Sequence, residues 1–260
     1  MKSAAHTLGG LALAAATIGA GASGAMAQDG GAPAGGRWTL GIFGFSSETA
    51  YGFRDNAAAP MIEYENEYFR FGLPSTEVKL PWISSEQLSF GVTIDLFGVE
   101  NGYEAKDAKI LQGMGDRDSG VWAGMTMNFR SDLVDLSFKA LGDLGGDSDG
   151  TSVELEASHT FFVGDRVMIS PKIAAIWLDD NTVDYYYGVL PGEATATRAA
   201  YVGEATVNLK LGVNVGYMLS DNQMLMFDVS ATKLGSGITD SPIAVEDTVT
   251  SVGMGYIFRF

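Results

Sequence analysis

The sequence predicts an all-β, transmembrane, antiparallel up-and-down β-barrel of about ten strands, with twelve as the alternative. Three observations carry this: long stretches that alternate apolar and polar residues, connections that alternate long and short, and an aromatic strand at the C-terminus. On a pleated strand successive side chains face opposite ways. Val252, Met254, Tyr256, Phe258 and Phe260 therefore share a face suited to lipid, and Ser251, Gly253, Gly255 and Arg259 a face suited to a wet lumen.

The same alternation recurs upstream. In Ala205 to Leu219 the odd positions run Val207, Leu209, Leu211, Val213, Val215, Tyr217 and Leu219, and stripes follow through Val153 to Val163, Val167 to Leu178 and Gln223 to Lys233. Leu88 to Phe97, Val121 to Arg130 and Leu133 to Leu141 behave alike. Spans of about 9–11 residues suit a tilted strand crossing a bilayer, where strands of soluble proteins average about 5–6. Trp38 to Ser46 is assigned as the first outward strand and Pro60 to Phe71 as an inward one, with Gly72 to Gln87 returning on the periplasmic side. The twelve-strand alternative adds Thr76 to Ile83 and a hairpin at Tyr185 to Val189.

Connections support this layout, because outer-membrane barrels join strands by short periplasmic turns and longer external loops. Ser131-Asp132, Gly164-Asp165 and Ser220-Asp221-Asn222 are short; Gly98 to Ser119, Gly142 to Gly150, Asp179 to Glu204 and Leu234 to Thr248 are long. An even strand number is required if both termini lie on the periplasmic side.

Before the barrel, residues 1–27 read as a cleaved secretory signal peptide. Lys2 gives the positive start, Leu8 to Ile18 the apolar core and Ala25-Met26-Ala27 the cleavage site. Residues 28–36 form a Gly/Ala/Pro-rich flexible lead, and 37–260 the barrel. The expected address is the cell outer membrane.

Composition narrows the chemistry. The chain has 34 glycines, 46% hydrophobic residues and no cysteine, which excludes disulfides, thiolate metal sites and cysteine catalysis. A formal net charge of −16 makes nucleic acid and anionic lipid surfaces poor partners, although acidic loops can be bridged to lipopolysaccharide by divalent cations. His6 leaves with the signal, so His159 is the sole imidazole base of the mature chain. The residues sharing its face are Ala157 and Phe161, neither a nucleophile, and no enzyme activity, catalytic residue or cofactor is expected. Asp143, Asp147 and Asp149-Gly150 resemble part of a calcium loop, but Gly145 stands where a ligand should be, so the segment reads as a solvated acidic loop with no metal. Inward parity places Glu154, Glu156, Lys172, Lys210 and Arg130, with Glu63, Glu65, Glu67, Asp95, Asp228, Lys139 and Arg259, in or near the lumen. Such mixed charges set ion selectivity in an open pore or pair to plug a narrow one.

Several short blocks resemble the MipA/OmpV family of outer-membrane proteins. They are Tyr186-Tyr187-Gly188-Val189 followed by Pro191, Glu193-Ala194, Tyr201 and Gly203; Leu234 and Asp240-Ser241-Pro242-Ile243; Leu111-Gln112-Gly113-Met114-Gly115; and Ala59-Pro60 with Tyr64. Gly255, Tyr256, Phe258 and Phe260 resemble the signal read by the barrel-insertion machinery, with Gly253 in place of its usual polar first residue. Read physically, Tyr185 to Tyr187 sit at a membrane boundary, Gly188 permits a turn, and the Tyr186 and Ser241 blocks fold external loops over the barrel mouth. The resemblance implies an envelope scaffold that links a murein lytic transglycosylase to a penicillin-binding protein. It also leaves two alternatives, a narrow channel for ions or small molecules and a surface adhesin or antigen.

Overall fold

A computed structural model describes residues 36–260; the signal peptide and nearly all of the lead lie outside the described residues. Thirteen strand segments form one antiparallel sheet: β1 (Arg37–Glu48), β2 (Arg54–Glu65), β3 (Phe69–Gly72), β4 (Ser75–Lys79), β5 (Leu88–Asp95), β6 (Trp122–Phe129), β7 (Asp135–Asp143), β8 (Thr151–Ser158), β9 (Phe161–Val163), β10 (Val167–Leu178), β11 (Thr206–Ser220), β12 (Gln223–Lys233) and β13 (Thr248–Arg259). Neighbours in sequence pair in space, β13 returns to β1 across Thr39↔Arg259 to Ser47↔Ser251, and β10 pairs with β11, so the sheet closes.

The wall has twelve strands, because β8 and β9 are one. Ser158↔Lys172 and Phe161↔Ile169 keep the same register against β10. The break between them sits opposite Pro171, which has no N–H to give the ladder, while its carbonyl still accepts from His159 N–H at 3.3 Å. The ten-strand count is thereby corrected to the twelve-strand alternative, though only one of the two expected additions supplies it. Thr76 to Ile83 does overlap β4, which starts one residue earlier and is followed by a 3₁₀ turn at Pro81–Ile83. Tyr185 to Val189 is not a hairpin: it lies in and just past helix α1 (Asp180–Tyr187), started by Asp179, whose carboxylate accepts the Thr182 N–H at 2.8 Å. The other addition comes from Pro60 to Phe71, which is not one strand. The chain reverses after Glu65, where the Asn66 side-chain oxygen accepts the N–H groups of Tyr68 and Phe69 at 2.8 and 2.9 Å.

The alternation is realised as predicted. Val207, Leu209 and Leu211 are 47–60% exposed on the outside while Asn208 and Lys210 are buried inside. Trp38, Leu40, Ile42, Phe227, Val229, Val252 and Met254 extend the outer apolar band around the wall. Such a continuous apolar exterior is far larger than water tolerates and matches the girdled lipid face of a membrane barrel. Among the described residues no helix is long and apolar enough to cross a membrane.

The lumen is filled unevenly. Towards the periplasmic end Phe43, Met61, Met168, Met224, Met226 and Ile257 form a buried apolar plug. Gly255 has a packing reason here, since a Cβ at that position would lie 2.1 Å from the Phe43 ring. Asn66→Ala is expected to cost about 1 kcal/mol by leaving two turn N–H groups without their acceptor. Urea unfolding of the lipid-reconstituted barrel would measure it.

Candidate functional site

The lumen above the plug is an ion-pair network hung on inward strand positions. Lys172 on β10 reaches Asp228 on β12 at 2.8 Å, with both side chains at most 4% exposed, and Asn214 on β11 bridges the two when its amide nitrogen faces Asp228. Lys139 on β7 pairs with Asp95 on β5 at 2.7 Å. Arg70 on β3 pairs with Glu77 on β4 at 2.8 Å, and Glu77 also accepts from the Thr126 hydroxyl at 2.7 Å. Glu154, Glu156 and Lys210 join Arg70, Lys139 and Glu63 around a remaining cavity of about 250 Å³. The inward charges Glu154, Glu156, Lys172 and Lys210 thus share one lumen, whereas Arg130 lies beyond the end of β6, exposed at the periplasmic rim. Glu65 is drawn to that rim too, bound by Arg37 and Lys79.

The apolar plug is not among the features expected from the sequence. Its signal was present: Met224 and Met226 sit on the inward parity of β12, against Leu225, Phe227 and Val229 outside.

The extracellular mouth is closed by a second core. Helix α1 with the segment that follows it, the one-turn helix α2 (Ser236–Thr239) and the loops before β2, β6 and β13 bring together Tyr51, Tyr103, Leu111, Met114, Val183, Tyr186, Tyr187, Val189, Ile238 and Ile243, all at most 6% exposed. Every family block of the external loops meets here. Ser241 donates its hydroxyl to the Tyr187 carbonyl, joining the Ser-Pro-Ile block to the Tyr-Tyr-Gly-Val block. Tyr51 OH donates to the Tyr186 carbonyl at 2.9 Å, and its ring packs on those of Tyr103 and Tyr187. The expected turn-making role of Gly188 is replaced by a steric one. Its φ is −67°, open to any residue, but a Cβ there would stand 2.3 Å from the Asp184 carbonyl oxygen.

Charged residues staple this cap. The Glu193 carboxylate accepts from Gly115 N–H at 2.7 Å and Leu190 N–H at 3.1 Å, and faces Arg117 at 3.4 Å. Burial would raise its carboxyl, but those two N–H groups and the Arg117 guanidinium hold it below the usual range. Arg198 donates to the carbonyls of Ile110, Gln112 and Glu193. Glu100 has no such support. Burial pushes its carboxyl up to about 7, against the pull of the Tyr187 hydroxyl that donates to it at 2.8 Å.

His159 lies edge-on to Phe161 with ring centres 4.6 Å apart, on the apolar side where parity put it. In the acidic loop, Asp143 accepts the N–H groups of Gly145, Gly146 and Ser148, so its oxygens are spent on the turn. Among the described residues no three His, Asp or Glu side chains are grouped to hold a metal ion.

The family model of the MltA-interacting protein MipA matches residues 40–260. The outer membrane protein YiaT of Escherichia coli (strain K12) is 25% identical over 217 residues, covering 82% of this chain and 87% of that protein. OmpV of Vibrio cholerae is 22% identical over 227 residues, covering 86% and 87%. Among solved structures, the COG4313 outer membrane channel from Pseudomonas putida F1 aligns with a TM-score of 0.46 at 13% identity, covering 90% of this chain and 98% of that one.

Two outcomes test this site. Asp228→Ala, which strands the Lys172 charge, is expected to cost about 3–5 kcal/mol, and Lys172→Met with Asp228→Leu to recover most of it, both read by urea unfolding. For Glu100 the folded state binds the proton more tightly than the unfolded chain, so stability falls as pH rises from about 4.5 towards 7 and stays low above. The loss is up to about 3 kcal/mol, and Glu100→Gln is expected to flatten it when unfolding is compared at pH 5 and pH 8.

Proposed function

The chain belongs to the family of the MltA-interacting protein MipA and resides in the outer membrane, and from that premise we propose that it is an envelope scaffold holding murein-remodelling enzymes to that membrane. One observation supports this reading best: the periplasmic turns present large apolar side chains. Leu133 is 85% exposed in the turn between β6 and β7, and Trp82 and Ile83 are 72% and 54% exposed between β4 and β5. Leu133 gains nothing from water, and burying a leucine contributes about 1.5–3 kcal/mol, enough for an anchor of a protein interface. The partners are a lytic transglycosylase and a penicillin-binding protein, as the resemblance implies. The filled lumen and stapled mouth are consistent with a barrel that serves as a mount.

The second reading, a narrow channel, is favoured by the charged cavity between plug and cap. In planar bilayers it calls for stable conductance steps altered by Glu154→Gln with Glu156→Gln. The scaffold reading is tested in intact cells by photo-crosslinking from positions 82, 83 and 133. Recovery of a murein enzyme from these sites, and not from positions on the extracellular cap, is the expected result; recovery of none counts against it.

A further inference from the structure

The lumen cavity leaves three charges without a group in contact to match them. It is lined by seven carboxylates and three cations, and most of these are engaged. Arg70 binds Glu77 at 2.8 Å and lies 4.0 Å from Glu63, Lys139 binds Asp95 at 2.7 Å, Glu48 is held by Arg54, and Glu100 accepts the Tyr187 hydroxyl at 2.8 Å. Asp228, below the cavity, is taken by Lys172. Among the described residues, no hydrogen bond or ion pair engages the side chains of Glu154, Glu156 and Lys210.

Lys210 is the informative member of the three. It is 8% exposed, stands on the inward parity of β11 and borders the cavity. An ammonium taken this far from water without a counter-charge in contact is costly. Two carboxylates share its cavity, yet the wall holds them off. Ala174 on β10 is the ladder partner of both Glu156 and Lys210, so a whole strand separates those two charges. With strands about 4.8 Å apart, their backbones stand about 10 Å from each other. Glu154 lies nearer the mouth on β8, about 7 Å along the strand from Glu156. Lys139, directly opposite Glu154 in the ladder, turns to Asp95 instead.

Charge and size together select what fits. The unmatched set holds one cation and two carboxylates, so a ligand that satisfies it carries one carboxylate and two cationic groups. An anion leaves both glutamates bare, a diamine leaves Lys210, and a zwitterion with an apolar side chain leaves one glutamate. A volume of about 250 Å³ holds roughly eight waters at ~30 Å³ each, room for one amino acid but not for a peptide chain. The cavity extends to Glu48 at the outer end of β1, the side from which an external solute arrives.

We propose that the lumen binds a free amino acid with a cationic side chain, its carboxylate on Lys210 and its two cationic groups on Glu154 and Glu156. The ligand supplies the counter-charges that the wall keeps apart, and each of its three charged groups meets a buried group of opposite sign. This site is independent of the scaffold reading, which rests on the periplasmic turns, and of the channel reading, since it calls for binding and not for conductance. Its failure is therefore distinguishable from theirs.

The test uses the barrel purified from outer membranes and reconstituted in nanodiscs of zwitterionic lipid, with radiolabelled L-lysine and L-arginine followed by equilibrium dialysis. The expected result is saturable binding, displaced at least ten-fold less well by cadaverine, which lacks the carboxylate, or by L-norleucine, which lacks the side-chain cation, than by unlabelled L-lysine. Lys210→Met is expected to weaken L-lysine ten-fold or more without weakening cadaverine. Glu154→Gln with Glu156→Gln is expected to weaken both ten-fold or more. No saturable binding of either amino acid, equal competition by cadaverine, or equal competition by L-norleucine would each overturn the site. A Lys210→Met barrel that folds and binds L-lysine as the native one does would overturn it too. The competitor series on the native barrel decides the matter even where a variant fails to fold.

Discussion

Hydrocarbon offers no hydrogen bonds, so a chain that crosses it as strands must pair its backbone with itself all the way round. The β13 to β1 ladder is where that demand is met, from Thr39↔Arg259 to Ser47↔Ser251. Everything else follows from the closure. It joins the two ends of the described chain, fixes which parity faces lipid, and forces polar side chains of opposite charge into a shared interior. The buried Lys172–Asp228 pair is a consequence: neither group has water enough to stand alone, and each is tolerated because the other is there.

Closure leaves an interior that has to be filled, and this chain fills it in layers of different chemistry. The methionines of the plug adapt their shape around Phe43, as flexible thioethers do. Above them the charges pair, and above those the loops fold into an aromatic core. A twelve-stranded wall is wide enough that side chains alone need not fill it. That is why the external loops turn inward over the mouth and why their residues are as buried as those of a soluble core.

Strand positions, facing and direction were legible because period-two alternation is a strong signal on a two-sided surface, and the C-terminal strand from Thr248 to Arg259 was read correctly to the residue parity. The strand count was less legible. β3 has four residues, too few for alternation to register, and the reversal before it depends on the side chain of Asn66. Pro171 split a continuous strand without moving its register, an effect that only the ladder reveals. Helix α1 hid because Tyr185 to Tyr187 have strand-like propensity, while the Asp179 cap and tertiary packing decide the local structure. At the site, parity found the lumen charges, but which ones pair depends on the circumference, which no single strand records. The plug escaped for a different reason: apolar residues on both faces of a strand end look like a weaker alternation.

The family blocks take on a sharper meaning from where they lie. Tyr186-Tyr187-Gly188-Val189 and Ser241-Pro242-Ile243 are more than 50 residues apart, yet one hydroxyl joins them, and Leu111 to Gly115 reaches the same cap through Glu193. Their side chains are buried, with Tyr186 and Ile243 at 1% and 0% exposure, so they are placed to hold loops to each other rather than to meet a partner. A motif of this kind preserves an architecture that closes the outer mouth. On the scaffold reading, recognition falls to surfaces outside these blocks, such as the turns that carry Trp82, Ile83 and Leu133.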